Sequence, residues 1–259
     1  MKSRSIKRTL VIFLVVIAGL YLAACIMLYF AQRSMLYFPT SRADSFPSIS
    51  IESEGEKIQV LTKISDSTDA IVLFGGNADD VSNYHGDFAN TFPKKDIFLV
   101  NYRGYGGSTG TPTESALFAD ALAVYDHVHE RYQNITVIGR SLGTGVAVYL
   151  ASVRNVDRLI LITPYDSIEN VAQSHFPIFP VRILLKDKFD SASRVKSLSA
   201  RTLVLVAEHD KTIPRRHTDA LVREFPPEQV VVKTLVGKTH DSITSGPDYL
   251  QHCREFLNN

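Results

Sequence analysis

Between Leu10 and Phe30 the chain runs for 21 residues without a charged side chain. At 1.5 Å rise per residue, a helix of that length spans about 31 Å, the thickness of one hydrocarbon core. Thirteen of the 21 are Leu, Ile, Val or Phe, and on the insertion scale these supply about −4 to −8 kcal/mol. Lys2, Arg4, Lys7 and Arg8 precede the run and no acid accompanies them. Basic flanks stay on the cytoplasmic side. Residues 1–34 are therefore expected to form an N-terminal membrane anchor or signal, with the remainder on the periplasmic or extracellular side.

Cleavage is the alternative. Leu22-Ala23-Ala24-Cys25 has the form of a bacterial lipobox, which would make the protein a lipoprotein held through Cys25. The apolar run continues past that point through Ile26-Met27-Leu28-Tyr29-Phe30, which favours an uncleaved single-pass anchor. Gln32 to Phe38 then places aromatic residues beside Arg33, a composition suited to the lipid–water interface.

Residues 35–259 are enough for one domain with a large core. The hydrophobic share of 45% excludes a disordered chain. Lys plus Arg is 28 and Asp plus Glu is 27, a balance without the basic excess of a nucleic-acid binder. Short β-rich runs are expected as strands at Ile58 to Ile64, Ala70 to Phe74, Asp96 to Val100, Ile135 to Ile138, Arg158 to Ile162, Thr202 to Ala207 and Gln229 to Leu235. Several are continuously apolar, such as Ile71-Val72-Leu73-Phe74, as strands buried on both faces of a parallel sheet are. Helical spacing marks Glu114 to Arg131, Thr144 to Val153, Thr218 to Phe225 with Thr218 as its cap, and Tyr249 to Leu257. Alternating strands and helices predict an α/β fold with a mostly parallel sheet. Chemistry then belongs in the loops at the carboxyl ends of the strands. Residues 163–200, with Pro164, Pro177, Pro180 and four aromatics, break the rhythm and have the size and place of a lid or a surface crossover.

Gly139-Arg140-Ser141-Leu142-Gly143 lies between a predicted strand and a predicted helix. In a Gly-x-Ser-x-Gly elbow the sharp turn exposes the serine hydroxyl, and the glycines remove side chains that would collide. A serine needs a general base, and the base needs an acid to orient it. His240, in the loop after the last strand, is the best base by position. His85, His127 and His129 precede Ser141. His175 lies in the insertion, His209 abuts the acid, and His217 and His252 fall on or beside helices. Asp210, just after the strand Thr202 to Ala207, is the expected acid, with Glu208 as runner-up. Asp241 is too close in sequence to His240 to face it. The oxyanion needs two backbone donors: Leu142 supplies the first, and Asn77, at the end of Gly75-Gly76-Asn77, the second. The two cysteines, Cys25 and Cys253, make no metal cluster, and this chemistry requires neither a metal nor a cofactor.

Together with Asn101-Tyr102-Arg103-Gly104-Tyr105-Gly106-Gly107-Ser108, Gly110-Thr111-Pro112, Asp210 with Ile213-Pro214, and His240-Asp241, these residues resemble the α/β-hydrolase superfamily. The likeness is greatest to membrane-anchored single-domain serine hydrolases related to protein depalmitoylases and their bacterial counterparts. It covers residues 35–259 and the anchor. Relatives often carry His-Gly-Asn where this chain has Gly75-Gly76-Asn77. The resemblance implies an α/β-hydrolase fold, a Ser141–His240–Asp210 triad, and cleavage of a small or lipid-like acyl ester or thioester through an acyl-enzyme. A peptidase or amidase of the same fold, or a non-catalytic binding protein on it, are the alternatives, since fold alone does not set function.

Overall fold

Eight strands form, and most of them where apolar runs sit between turn-forming residues. The computed structural model describes residues 2–43 and 45–258, with side chains from residue 6 onward. The side chains of Lys2 and Arg4 in the basic flank therefore lie outside the described residues. In chain order the elements are α1 (Lys2–Leu36), β1 (Ser48–Ser53), β2 (Glu56–Lys63), β3 (Asp69–Phe74), α2 (His85–Thr91), β4 (Asp96–Val100), α3 (Glu114–His129), β5 (Asn134–Arg140), α4 (Leu142–Val153), β6 (Arg158–Ile162), α5 (Ile168–His175), α6 (Val181–Leu184), β7 (Arg201–Ala207), α7 (Arg215–Val222), β8 (Val230–Leu235) and α8 (Asp248–Leu257).

The sheet has the order β1-β2-β4-β3-β5-β6-β7-β8. β2 pairs antiparallel with both β1 and β4, and the remaining neighbours are parallel. Side-chain alternation sorts the apolar runs onto two cores. Val72, Phe74 and Val137 join α3 and α4 on one face. Ile71, Leu73 and Ile138 join α2 and α8 on the other. A sheet covered on both sides is what continuously apolar strands require.

From β3 the chain goes to β4 on one side and then crosses to β5 on the other. That reversal opens a crevice at the carboxyl ends of β3 and β5, where ligands bind in open α/β sheets. Phe74 is level with Gly139 in the register, so the loops holding Asn77 and Ser141 emerge side by side.

The sequence expectation does not include helices α2, α5 and α6, and β1 and α7 depart from it. β1 (Ser-Ile-Ser-Ile-Glu-Ser) is an alternating edge strand, held by pairing with β2 rather than by an apolar run. The helix expected at Thr218 to Phe225 begins at Arg215, because Pro214 opens it. Thr218 is thus inside the helix, and its buried hydroxyl donates to the Pro164 carbonyl at 2.6 Å instead of capping.

α1 is long and apolar enough to cross a membrane. Every side chain from Leu10 to Ile17 is exposed, around the whole circumference of the helix, whereas a soluble core helix buries at least one stripe. Its last turns are fastened to the domain. Arg33 makes a two-pronged contact with Asp187 at 2.9 and 3.1 Å, and Gln32 Nε2 donates to the Leu184 carbonyl at 3.0 Å.

Candidate active site

β5 delivers Ser141 through a turn in which the serine adopts φ 50° and ψ −116°, a conformation L residues rarely take. The flanking glycines make it feasible. A Cβ on Gly143 would lie 2.1 Å from the Phe74 carbonyl oxygen, and one on Gly139 would lie 2.4 Å from the Gly143 carbonyl oxygen. Gly143→Ala is therefore expected to lower stability by about 1–3 kcal/mol, as other overpacked substitutions do. A thermal melt reads the loss, and an unchanged Tm would contradict the close approach.

Ser141 Oγ lies 2.9 Å from His240 Nε2. His240 Nδ1 lies 2.8 Å from Asp210 Oδ2. A carboxylate only accepts, so Nδ1 carries the proton it donates and Nε2 is left to accept from the serine. The other oxygen, Asp210 Oδ1, accepts the N–H groups of Thr212 at 2.9 Å and Ile213 at 2.7 Å, which fixes the carboxylate plane. The side chains of His240 and Asp210 are only 8% and 4% exposed, so their interaction is little screened by water. The three residues come from the carboxyl ends of β5, β7 and β8, which the parallel register brings level.

Leu142 is the first residue of α4, so its N–H has no partner within the helix. The Asn77 N–H likewise meets no acceptor among the described residues. The Asn77 carbonyl is held by the Tyr105 hydroxyl at 2.7 Å and the Phe38 N–H at 3.0 Å. His240, Asn77, Arg140 and Tyr249 line a cleft of about 440 Å³.

The other candidates point elsewhere. Glu208 Oε2 accepts from the Gly237 N–H at 2.7 Å. His209 is exposed, 3.6 Å from Glu208. His85 contacts the Thr62 carbonyl, His175 the Thr212 carbonyl and His252 Glu255. A second Ser–His–Asp cluster exists away from the elbow. His217 Nδ1 is 3.0 Å from Asp166, and its Nε2 is 3.2 Å from Ser174 Oγ. Ser174 sits in regular helix, its hydroxyl donating to the Val171 carbonyl at 2.7 Å. With no elbow to present the serine, the cluster ties α5 to α7.

Sequence reasoning passed over the residues that brace this site. Arg140 Nη1 donates to Asp79 Oδ1 at 2.6 Å, and its Nη2 donates to the His240 carbonyl at 3.0 Å. Asp79 Oδ2 in turn accepts the Gly76 N–H at 2.6 Å and the Tyr84 hydroxyl at 2.7 Å. One guanidinium thus spans the Asn77 loop and the His240 loop. Burial, and then the neighbouring Asp79 carboxylate, push the Tyr84 hydroxyl far above its usual range, so it remains a donor. The available signal was a cation inside the elbow and an acid two residues beyond Asn77.

A family model described as alpha/beta hydrolase fold matches residues 69–198. The chain belongs to the α/β-hydrolase fold family. The match includes Ser141 and ends before Asp210 and His240. An uncharacterized protein of Mycobacterium tuberculosis strain H37Rv is 35% identical over 166 residues, covering 62% of this α/β-hydrolase chain and 59% of its own. The lysophosphatidylserine lipase ABHD12 of Xenopus tropicalis is 33% identical over 194 residues, covering 63% of this chain and 50% of its own. The chain thus spans about half to three-fifths of the length of these relatives. Among solved structures, Est1E from Butyrivibrio proteoclasticus with ferulic acid bound superposes with a TM-score of 0.70 at 16% identity, over 81% of this chain and 97% of that one. At that identity the likeness concerns the fold. Among the described residues, no group of three or more His, Cys, Asp or Glu could hold a metal ion.

Proposed function

We propose that the chain is a membrane-anchored serine hydrolase that cleaves carboxylic ester or thioester bonds through an acyl-enzyme. The observation that carries this reading is the proton path of 2.9 Å from Ser141 to His240 and 2.8 Å from His240 to Asp210. Ser141 attacks the acyl carbonyl as His240 Nε2 takes its proton, and Asp210 stabilises the imidazolium that results. The Leu142 and Asn77 amides receive the oxyanion. Each such donor is worth about 3–4 kcal/mol in the transition state. His240 then protonates the leaving alcohol or thiol and activates the water that releases the acid.

A lipid-like substrate fits the apolar α1 and the lysophosphatidylserine lipase among the relatives. In this reading residues 1–34 are the anchor, residues 35–259 are the hydrolase domain with a lid at 163–200, and the domain lies outside the cytoplasm.

Purified full-length protein treated with a fluorophosphonate probe is expected to gain one adduct, located by mass spectrometry at Ser141. It is then expected to turn over short acyl esters or thioesters in preference to aminoacyl amides. Absence of the adduct, or an adduct on another serine, removes the reading. A preference for amides replaces it with an amidase.

A further inference from the structure

Asn77 stands between two cavities. On one side is the polar cleft of His240. On the other, about 280 Å³ of apolar space separates the last turns of α1 from α5 and α6, with Leu28, Met35, Leu36, Ala172, Phe179 and Leu184 among its walls. The Asn77 side-chain amide donates to the Leu36 carbonyl at 2.9 Å. The residue carrying the second oxyanion amide is therefore fastened to Leu36, a residue in the wall of the apolar groove.

The outer edge of the apolar groove reaches far along α1. The Tyr21 hydroxyl donates to the Ile178 carbonyl at 2.8 Å, and the Tyr21 ring stacks on Phe179 with centroids 5.7 Å apart. Tyr21 precedes Phe30, at the end of the Leu10–Phe30 apolar stretch, by nine positions. At 1.5 Å per residue that is about 14 Å, close to the thickness of one leaflet's hydrocarbon. With α1 across a bilayer, the connection between α5 and α6 lies at the depth of acyl chains rather than in water.

The chemistry of that connection suits such a depth. Phe176 to Pro180 are all apolar, with Ile178 72% exposed; on α6, which follows, Ile183 is 80% exposed beside Arg182, the one charged residue of 176–183. The backbone of the connection, irregular between two short helices, finds most of its partners within the protein, although the Ile178 N–H meets no acceptor among the described residues. Gln173 Nε2 lies 3.2–3.4 Å from the carbonyl oxygens of Phe176, Pro177 and Phe179, which share its two N–H groups. Gln173 Oε1 accepts the Val181 N–H at 3.3 Å, and Tyr21 takes the Ile178 carbonyl. Non-helical backbone survives in hydrocarbon only when its polar groups are paired inside the protein. At the outer end, Lys186 Nζ lies 4.0 Å from the Tyr29 ring centroid, an ammonium and an aromatic at the level where lipid headgroups begin.

We propose that residues 176–183 are immersed in the same leaflet as α1, and that the groove between them receives the acyl chain of a membrane-resident lipid ester directly from that leaflet. This rests on the serine-hydrolase reading for what happens to the ester, and on membrane insertion of α1 for the depth.

Depth is tested without activity. Full-length Ile183→Cys protein in a Cys25→Ser background is labelled with a polarity-sensitive fluorophore and reconstituted into phosphatidylcholine vesicles. Quenching by mid-chain doxyl lipids above that by aqueous iodide is expected, and the reverse order overturns the immersion. The groove is tested by chain length. Ala172→Trp is expected to lower the ratio of dodecanoyl to butanoyl ester turnover in vesicles at least tenfold relative to wild type. An unchanged ratio overturns the acyl site. Wild-type protein inert toward both esters would instead sink the hydrolase reading, while the quenching result would still decide the immersion.

Discussion

Ser141→Ala and His240→Ala are each expected to lower kcat on the order of a millionfold, and the double variant no further than either alone. In the proposed mechanism the three side chains act as one proton path, so removing Ser141 or His240 leaves only binding and the oxyanion donors. Asp210→Asn keeps the shape but cannot hold His240 in the tautomer that accepts from serine, and an effect on the order of ten-thousand-fold is expected. Glu208→Gln should cost less than tenfold, because Glu208 is engaged with the Gly237 amide. The measurement is single-turnover hydrolysis of a short ester, with circular dichroism to verify folding. The Ser141 hydroxyl has His240 as its side-chain partner, so Ser141→Ala should leave the fold intact. A His240→Ala variant within tenfold of wild type would remove this histidine from the mechanism. Additive losses in the double variant would show that the two residues do not work together.

How far these positions are legible in sequence follows from how local their causes are. Ser141 is legible because strand, elbow and helix occupy consecutive residues. The same holds for β4 and β6, whose bounds coincide with the apolar runs Asp96–Val100 and Arg158–Ile162. Asp210 and His240 are 30 residues apart, yet each sits just beyond a strand end, and a parallel sheet brings strand ends level. β1 escapes because an edge strand is stabilised by its partner β2 more than by its own composition. The Arg140–Asp79 pair escapes for a stronger reason. Its members are 61 residues apart, and no local pattern tells a buried cation from a solvated one. The groove is harder still to read, since Gln32 and Leu184 meet across 152 residues. Only packing shows that the apolar helix α1 also forms the wall of a cavity.

Arg140→Ala is expected to destabilise the protein by about 3–5 kcal/mol, the range for breaking one side of a buried ion pair. The Arg140 and Asp79 side chains are 9% and 15% exposed, so the carboxylate left behind gains little from water. It would keep the Gly76 N–H and the Tyr84 hydroxyl, two neutral donors in place of a cation. Adding Asp79→Asn removes the stranded charge. The double variant should therefore lose less than the sum of the single losses, by at least about 1 kcal/mol in a urea-unfolding cycle. Stability alone would not separate a brace from ordinary packing, so kinetics carry the rest. Arg140 also holds the His240 carbonyl, and a drift of about 1 Å in a catalytic group can cost on the order of a hundredfold. The loss should fall on kcat with KM little changed. Arg140→Lys, whose single ammonium can serve the Asp79 carboxylate or the His240 carbonyl but not both in Arg140's geometry, should lie between wild type and Arg140→Ala in both stability and kcat. A variant that loses stability but keeps kcat within twofold would show that the guanidinium supports the fold without positioning the base.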